Sequence, residues 1–271
     1  RSSDLRDRAA TFDAITEAKP DIIIDAAAKV GGIMANSTFP VEFLRDNSMI
    51  QTNVMDAAHS NDIDRLLFLG SSCIYPRHAT QPITEEQLLT GPLEPTNEWY
   101  AIAKIAGIKL CDHARAQHGC DFISAMPCNL YGTGDNFSLE NSHVLPAMIR
   151  KMHEAKLRGD ASLKLWGTGT PLREFLHADD LAEACVMLLE RYSQAGHINV
   201  GSGEDISIAE LARLVSDVVG YGRAIQCDPS KPDGAPRKDR VAPGKARPGA
   251  GSGARKRPAP TRGNTPPRGP R

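Results

Sequence analysis

Tyr100 and Lys104 stand four residues apart, a Y-x-x-x-K spacing that puts both side chains on one face of a helix. A cation beside a phenol favours the phenolate and lowers the tyrosine pKa. Such a tyrosine can exchange a proton with a carbonyl or hydroxyl oxygen near neutral pH. The spacing by itself is common on surface helices. A second signal lies upstream, where Ser71-Ser72-Cys73 follows directly on an apolar run ending at Gly70. A hydroxyl at a strand tip can hydrogen-bond the same oxygen that the tyrosine serves, although the triplet also fits an ordinary polar turn. Strand tip, serine, then Y-x-x-x-K 29 residues later is a more specific pattern than either half alone.

The elements that must carry these residues alternate between helical and strand patterns. Leu5 to Ala18 is amphipathic at helical spacing, and Asp21 to Asp25 reads as a short buried strand. Val41 to His59 reads as a long helix, Arg65 to Gly70 as a second buried strand, Trp99 to Ala116 as helix, and Asp121 to Met126 as a third strand. Continuous apolar strands separated by helices predict a parallel, doubly wound α/β sheet covered on both faces. Ligands of such sheets lie beyond the C-terminal ends of the strands. The loops after Ala26, Gly70 and Pro127 are therefore where chemistry is expected. Beyond Tyr131 the pattern loosens into loops around helices at 142–155, 179–191 and 207–219 and strands at 162–166, 197–200 and 224–227. This part reads as a smaller α/β substrate lobe, residues 132–234, interleaved at about 177–200 with a return to the main sheet. Met34, Met49 and Met55 read as packing residues.

The 271 residues carry a net charge of −1, which sums two opposite parts. Residues 235–271 hold eleven Lys or Arg against one acid, so the tail is at +10 and the body at −11. The tail has no aromatic residue and only Val241 as a large aliphatic, so it reads as a disordered basic segment. It lacks the interleaved aromatics that stack on bases, so a nucleic-acid arm is not expected. No apolar run approaches the ~18 residues of a membrane span. The six cysteines, at 73, 111, 120, 128, 185 and 227, form no C-x-x-C pair, so neither a metal site nor a redox motif is expected. They read as reduced thiols of a cytoplasmic protein.

Several runs carry a family resemblance. Gly70-Ser-Ser-Cys-Ile-Tyr-Pro76, Glu94-Pro-Thr-Asn-Glu-Trp-Tyr-Ala-Ile-Ala-Lys104 and Asn129-Leu-Tyr-Gly132 resemble the extended short-chain dehydrogenase/reductases. Within them, Ala26-Ala-Ala-Lys-Val-Gly-Gly32, Asp135-Asn136-Phe137, Asn141-Ser-His-Val144, Trp166 to His177 and Lys231-Pro-Asp-Gly234 resemble the GDP-L-fucose synthases. The resemblance covers roughly residues 4–238.

It implies two chemistries in one pocket, on GDP-4-keto-6-deoxymannose with NADP(H) as cofactor. A Cys and a His, matching Cys73 and His143, would move protons at C3 and C5 beside the C4 ketone. Both groups can be tuned to titrate near neutral pH. On residue type alone they fit equally a small buried thiol and a surface histidine. Tyr100, Ser71 and Lys104 match a Ser-Tyr-Lys triad for reduction at C4. Leu69, Gly70, Ser71, Ser72, Lys104, Pro127, Cys128, Asn129, Leu130 and His143 match the cofactor site. Lys151, Trp166, Arg173 and Asp233 match the nucleotide-sugar site; Lys151 keeps the charge of an expected Arg without its bidentate fork. The resemblance also implies a homodimer through helices at 41–59 and 99–116.

The chain departs from the pattern at both ends. It has no Gly-rich turn from a first strand into a helix, the element that holds a dinucleotide pyrophosphate. Residues 1–131 are therefore expected to form an incomplete Rossmann-type sheet. Asp21–Asp25, counted as a third strand, would be kept from Arg65–Gly70 by the lack of two intervening strands, leaving bare edges. At the other end, 28 of the last 37 residues are Ala, Gly, Arg or Pro, the composition expected of a shifted reading frame in GC-rich DNA. Among related chemistries, a 4,6-dehydratase would carry an acidic pair where Ser72-Cys73 stands, and a simple 4-epimerase would not need a Cys and a His. An inactive subunit kept for its interactions is the non-enzymatic alternative.

Overall fold

A computed structural model describes residues 3–139 and 142–230 and the backbone of 237–238. Its elements, in order, are α1 (Arg8–Ala18), β1 (Ile22–Asp25), α2 (Ile33–Thr38), α3 (Pro40–Ser60), β2 (Arg65–Leu69), α4 (Glu98–His118), β3 (Asp121–Pro127), β4 (Asn129–Tyr131), α5 (Val144–Arg158), β5 (Ser162–Trp166), β6 (Leu172–His177), α6 (Ala178–Arg191), β7 (His197–Val200), β8 (Asp205–Ser207), α7 (Ile208–Val219), β9 (Ala224–Asp228) and β10 (Arg237–Lys238).

The helices start and stop where local chemistry dictates. Asp7 caps α1 by accepting from the Ala10 amide. Ser207 and Glu210 close a reciprocal capping box on α7. Gly119, Gly159 and Gly220 end α4, α5 and α7 in the left-handed region that a side chain disfavours.

The main sheet is parallel, in the order β1-β2-β3-β7. The run Leu66-Leu-Phe68 is fully buried because both sheet faces are covered. Leu66 and Phe68 pack in a core with Val54 of α3 and Ile105 and Ile108 of α4. Leu67, Ile123 and Ala125 face the other way, onto Leu181, Cys185 and Leu188 of α6. A separate core joins α5, β5 and α7 through Met148, Met152, Leu163, Leu165 and Val215. Beside it, β5 pairs with β9, and β6 pairs with β4, β8 and β10.

Three expectations change. First, β1 needs no strand between it and β2: Ile22 to Asp25 pair in register with Arg65 to Phe68. The crossover helix α3 simply returns the chain to the adjacent position, the ordinary βαβ step. Second, β1 is not a buried strand. Ile22 and Ile24 are 48% and 46% exposed, and the buried residue is Asp25, at 3%. Third, the tail assigned no structure from 235 onward does place Arg237–Lys238 in parallel beside Leu172 and Arg173. The rest of the tail lies outside the described residues.

At the base of the sheet, Asp121 binds Arg65, Arg115 and Ser193. Arg65 also donates to the carbonyls of Leu188, Leu189 and Tyr192, which caps the C-terminal end of α6. At the β7 edge, the Asn199 amide donates to Glu85 Oε1 at 3.0 Å and its side chain to Ile83 O at 3.2 Å.

Candidate active site

The strand tips of β2 and β3 open on one cavity of about 760 Å³, the place a parallel sheet offers a ligand. Its wall includes Gly70, Ser71, Ser72 and Cys73 after β2, Tyr100 on α4, and Pro127 to Leu130 around the end of β3. His143, Lys151, Trp166 and Arg173 close it from the smaller lobe. Of the residues expected at the site, Leu69 and Lys104 sit behind this wall, and Asp233 lies outside the described residues.

The serine tip is fixed by backbone geometry. Gly70 donates to Ala125 O at 2.9 Å, tying the end of β2 to β3. Ser71 then caps a short 3₁₀ turn, Ser72–Ile74, which carries Cys73 inward. Cys73 is buried against the cavity. Two residues on, the Tyr75 hydroxyl donates to Asn199 Oδ1 at 2.5 Å and lies 2.8 Å from His197 Nε2, both on β7.

Tyr100 is held edge-on by Phe43 of α3, with ring centroids 6.3 Å apart. Its phenol is pushed up by burial and by the neighbouring Cys73, and a hydrogen bond with Ser71 opposes this. The sequence expectation was the reverse, a phenol lowered by Lys104. The reason lies in where the amine goes. Lys104 Nζ donates to Leu69 O at 2.8 Å, rides 4.6 Å over the Phe68 ring and stays 5.9 Å from the Tyr100 centroid. Burial pulls the lysine down; Asp25 and then Cys73 oppose that.

On the other wall, His143 is the exposed N-cap residue of α5 rather than a residue within the helix. Lys151 lies on α5, with Nζ 5.4 Å from the Trp166 ring centroid at the end of β5. A cation over an indole face is favourable, so the two form one surface. Trp166 is 55% exposed, so it is not a core residue. Arg173 on β6 donates to Leu172 O at 2.7 Å and still faces the cavity. Asn129 is oriented by its donation to Glu174 O at 2.8 Å.

The residue-level reading missed Asn36, Glu94, Thr96, Asn97 and Ser142, which also line the cavity. Glu94 and Asn97 stand in the Glu94-Pro-Thr-Asn run just before Tyr100, and that proximity was the available signal. Met34, read as packing, is 58% exposed and lines the cavity, whereas Met55 is in the core. Among the described residues no cluster of His, Cys, Asp or Glu could hold a metal ion, and no helix is long and apolar enough to cross a membrane.

Comparison with known proteins identifies the family. Residues 1–201 match the model of the NAD dependent epimerase/dehydratase family. GDP-L-fucose synthase 1 of Arabidopsis thaliana is 59% identical over 235 residues, 87% of this chain and 73% of that protein. A GDP-6-OMe-4-keto-L-xylo-heptose reductase from C. jejuni superposes with a TM-score of 0.82 at 33% identity, over 88% of this chain and 79% of that one. A GDP-L-fucose synthetase from Naegleria fowleri bound to NADP superposes with a TM-score of 0.79 at 29% identity, over 87% and 73%. This chain belongs to the NAD dependent epimerase/dehydratase family, in the branch of the GDP-L-fucose synthases.

Proposed function

We propose that this chain converts GDP-4-keto-6-deoxy-D-mannose to GDP-L-fucose, by epimerisation at C3 and C5 and NADPH-dependent reduction at C4. The observation that carries this reading is the meeting of two chemical sets on one cavity: Ser71 and Tyr100 with Cys73 on one wall, and His143 with Lys151, Trp166 and Arg173 on the other.

The roles follow from placement. The C4 ketone lies against Tyr100 and Ser71, which both donate to its oxygen. That electron withdrawal makes the hydrogens at C3 and C5 acidic. Cys73 and His143, both lining the cavity, remove and return those protons. Tyr100 then gives its proton to the C4 oxygen, and the raised phenol pKa keeps that proton available at neutral pH. By the resemblance Lys104 tunes the tyrosine and holds the nicotinamide ribose; here its amine is directed to Leu69 O, 5.9 Å from the Tyr100 ring centroid. Arg173 takes the diphosphate with its fork of donors, and Lys151 with Trp166 offers charge and a flat face to the remainder of the nucleotide.

The strand-tip residues fit the nicotinamide end of NADP(H). Gly70 to Ser72 and Pro127 to Leu130 flank Tyr100 at the open C-terminal edge of the sheet, and Lys104 reaches the same edge from behind. When bound, NADPH supplies the hydride for C4. We assign residues 1–131, a partial domain without the Gly-rich pyrophosphate turn, to NADP(H) binding and 132–234 to the nucleotide sugar. Asp233 belongs to the second set as a proposed contact of the sugar nucleotide.

We further propose a homodimer through α3 and α4, whose outer faces expose Val41, Met49, Trp99, Ile102 and Leu110. A cytoplasmic location is supported by six cysteines that are all free thiols, five of them buried.

The test separates the two chemistries. With substrate in deuterated water, Tyr100→Phe should still exchange the C3 and C5 hydrogens while losing reduction. Cys73→Ser with His143→Gln should lose exchange and retain NADPH oxidation. A wild-type chain that binds NADPH yet neither exchanges nor reduces this substrate would overturn the reading.

A further inference from the structure

We propose that Asp25 is a positioning residue for Lys104: its buried carboxylate, at the end of β1, fixes the charged lysine beneath Tyr100. This rests on the reading of Lys104 and Tyr100 given above.

The placement comes from register. Asp25 pairs with Phe68 across β1 and β2, and residues paired across neighbouring strands share a face of the sheet. That face is covered by α4. A Cβ on Gly107 would meet the Phe68 ring at 2.5 Å, and Lys104 Nζ lies 4.6 Å over the same ring. Asp25 therefore points onto the part of α4 that carries Lys104. It is the only buried residue of a strand whose other side chains are partly or fully exposed. A carboxyl at 3% exposure is costly to ionise unless a compensating charge lies near it.

Neither group is satisfied by its immediate hydrogen bonds. Asp25 Oδ1 accepts from the Ala27 amide at 3.1 Å, and Oδ2 has no hydrogen-bond partner among the described residues. Lys104 is likewise 3% exposed and spends one of its three donors on Leu69 O. Each offsets the other's burial: Asp25 is pushed up by desolvation and drawn back by Lys104, and Lys104 is pulled down by desolvation and held up chiefly by Asp25. The other titratable groups facing this pair are Cys73 from the turn after β2 and Tyr100 and Cys111 on α4. Asp25 is the only carboxyl among these groups.

The consequence is a lysine whose charged form, disfavoured by burial, is supported chiefly by Asp25. Removing the carboxylate charge, with the shape retained, should lower the titration midpoint of Lys104 by about one pH unit or more. The test is lysine-selective NMR of the whole chain, with the Lys104 resonance assigned from a Lys104→Arg sample, comparing wild type with Asp25→Asn. The expected result is a Lys104 midpoint displaced downward in Asp25→Asn, and an alkaline limb of kcat for C4 reduction displaced in the same direction. A role in packing alone would lower kcat equally at every pH and leave the midpoint in place, and that outcome overturns the proposal. Should Asp25→Asn not fold, Lys104→Met supplies the reciprocal measurement by carboxyl NMR. An Asp25 midpoint above that of wild type supports the coupling, and an unchanged one refutes it. If neither chain reduces the substrate, the proposed function fails, while the NMR midpoints still decide the role of Asp25.

Discussion

Gly107 lies where α4 presses closest to the sheet, and replacing it with alanine tests the packing that sets the height of Lys104. A Cβ there would stand 2.5 Å and 2.6 Å from Phe68 Cζ and Cε1, and 2.9 Å from Gln51 Oε1. Carbon pairs settle at about 3.5–4.0 Å, so the ring must retreat by roughly 1 Å. It has nowhere open to go. Phe68 is fully buried and Gln51 is tied to Ala103 O at 2.7 Å. Overpacking of this kind costs about 1–3 kcal/mol, and alanine in a helix interior returns up to about 1 kcal/mol over glycine. The net expectation is a loss of about 1 kcal/mol, or a fall in Tm of roughly 2–4 °C for a chain of this size. The functional effect should exceed the thermal one, because the same ring supports the Lys104 ammonium. A displacement near 1 Å in a positioning group can cost on the order of 100-fold, so kcat for reduction should fall at least tenfold. Thermal unfolding by circular dichroism and NADPH oxidation at saturating substrate measure the two. A variant with wild-type Tm and wild-type kcat would show that the Phe68 platform does not set the position of Lys104.

Other perturbations have defined signs. His197 is buried and its pKa is held below the ordinary 6.5 by desolvation. The unfolded chain therefore binds a proton first, so stability is full above about pH 6.5 and declines as pH falls below it; in His197→Gln the Tm should lose that part of its pH dependence. Asp121→Asn removes the charge that two arginines share at the base of the sheet, and should lower stability by about 1–3 kcal/mol in urea unfolding with no change in KM. Trp166→Ala, at an exposed position, should leave Tm within about 1 °C and raise KM for the nucleotide sugar about tenfold, a loss near 1.4 kcal/mol. Lys151→Arg should keep most of that affinity, because the guanidinium also stacks on indole.

The long periodic elements were legible in the sequence because each buries one continuous stripe. Val41 to His59 and Trp99 to Ala116 differ from α3 and α4 by only one or two residues at each end. The strands at 65–70 and 121–126 were read from largely apolar runs, the second interrupted by Ser124, of the kind a doubly covered sheet buries. The three-residue strands β4 and β8 were missed, since a run that short has no period to detect. The isoleucines of β1 misled for a physical reason. A strand's composition reports its propensity, whereas its exposure depends on which neighbours lie beside it. Asp25 was read only as the end of that strand, and its burial is fixed by the register that places it opposite Phe68. At the site, Tyr100, Lys104 and Ser71 could be found because their spacing is local, whereas Cys73 was singled out by the resemblance. The approach of His143, Lys151, Trp166 and Arg173 to them depends on how two separate cores are set together, which no local pattern encodes.

The anchoring of Tyr75 has a bearing on how one thiol could serve two carbons. Cys73 lies two residues before a tyrosine that is bonded to His197 and Asn199, so the turn bearing the thiol is fastened at both ends within six residues of chain, Gly70 to Tyr75. A turn so tethered has little freedom to move. On the proposed function, two carbons of one sugar ring therefore reach Cys73 by movement of the substrate rather than of the thiol.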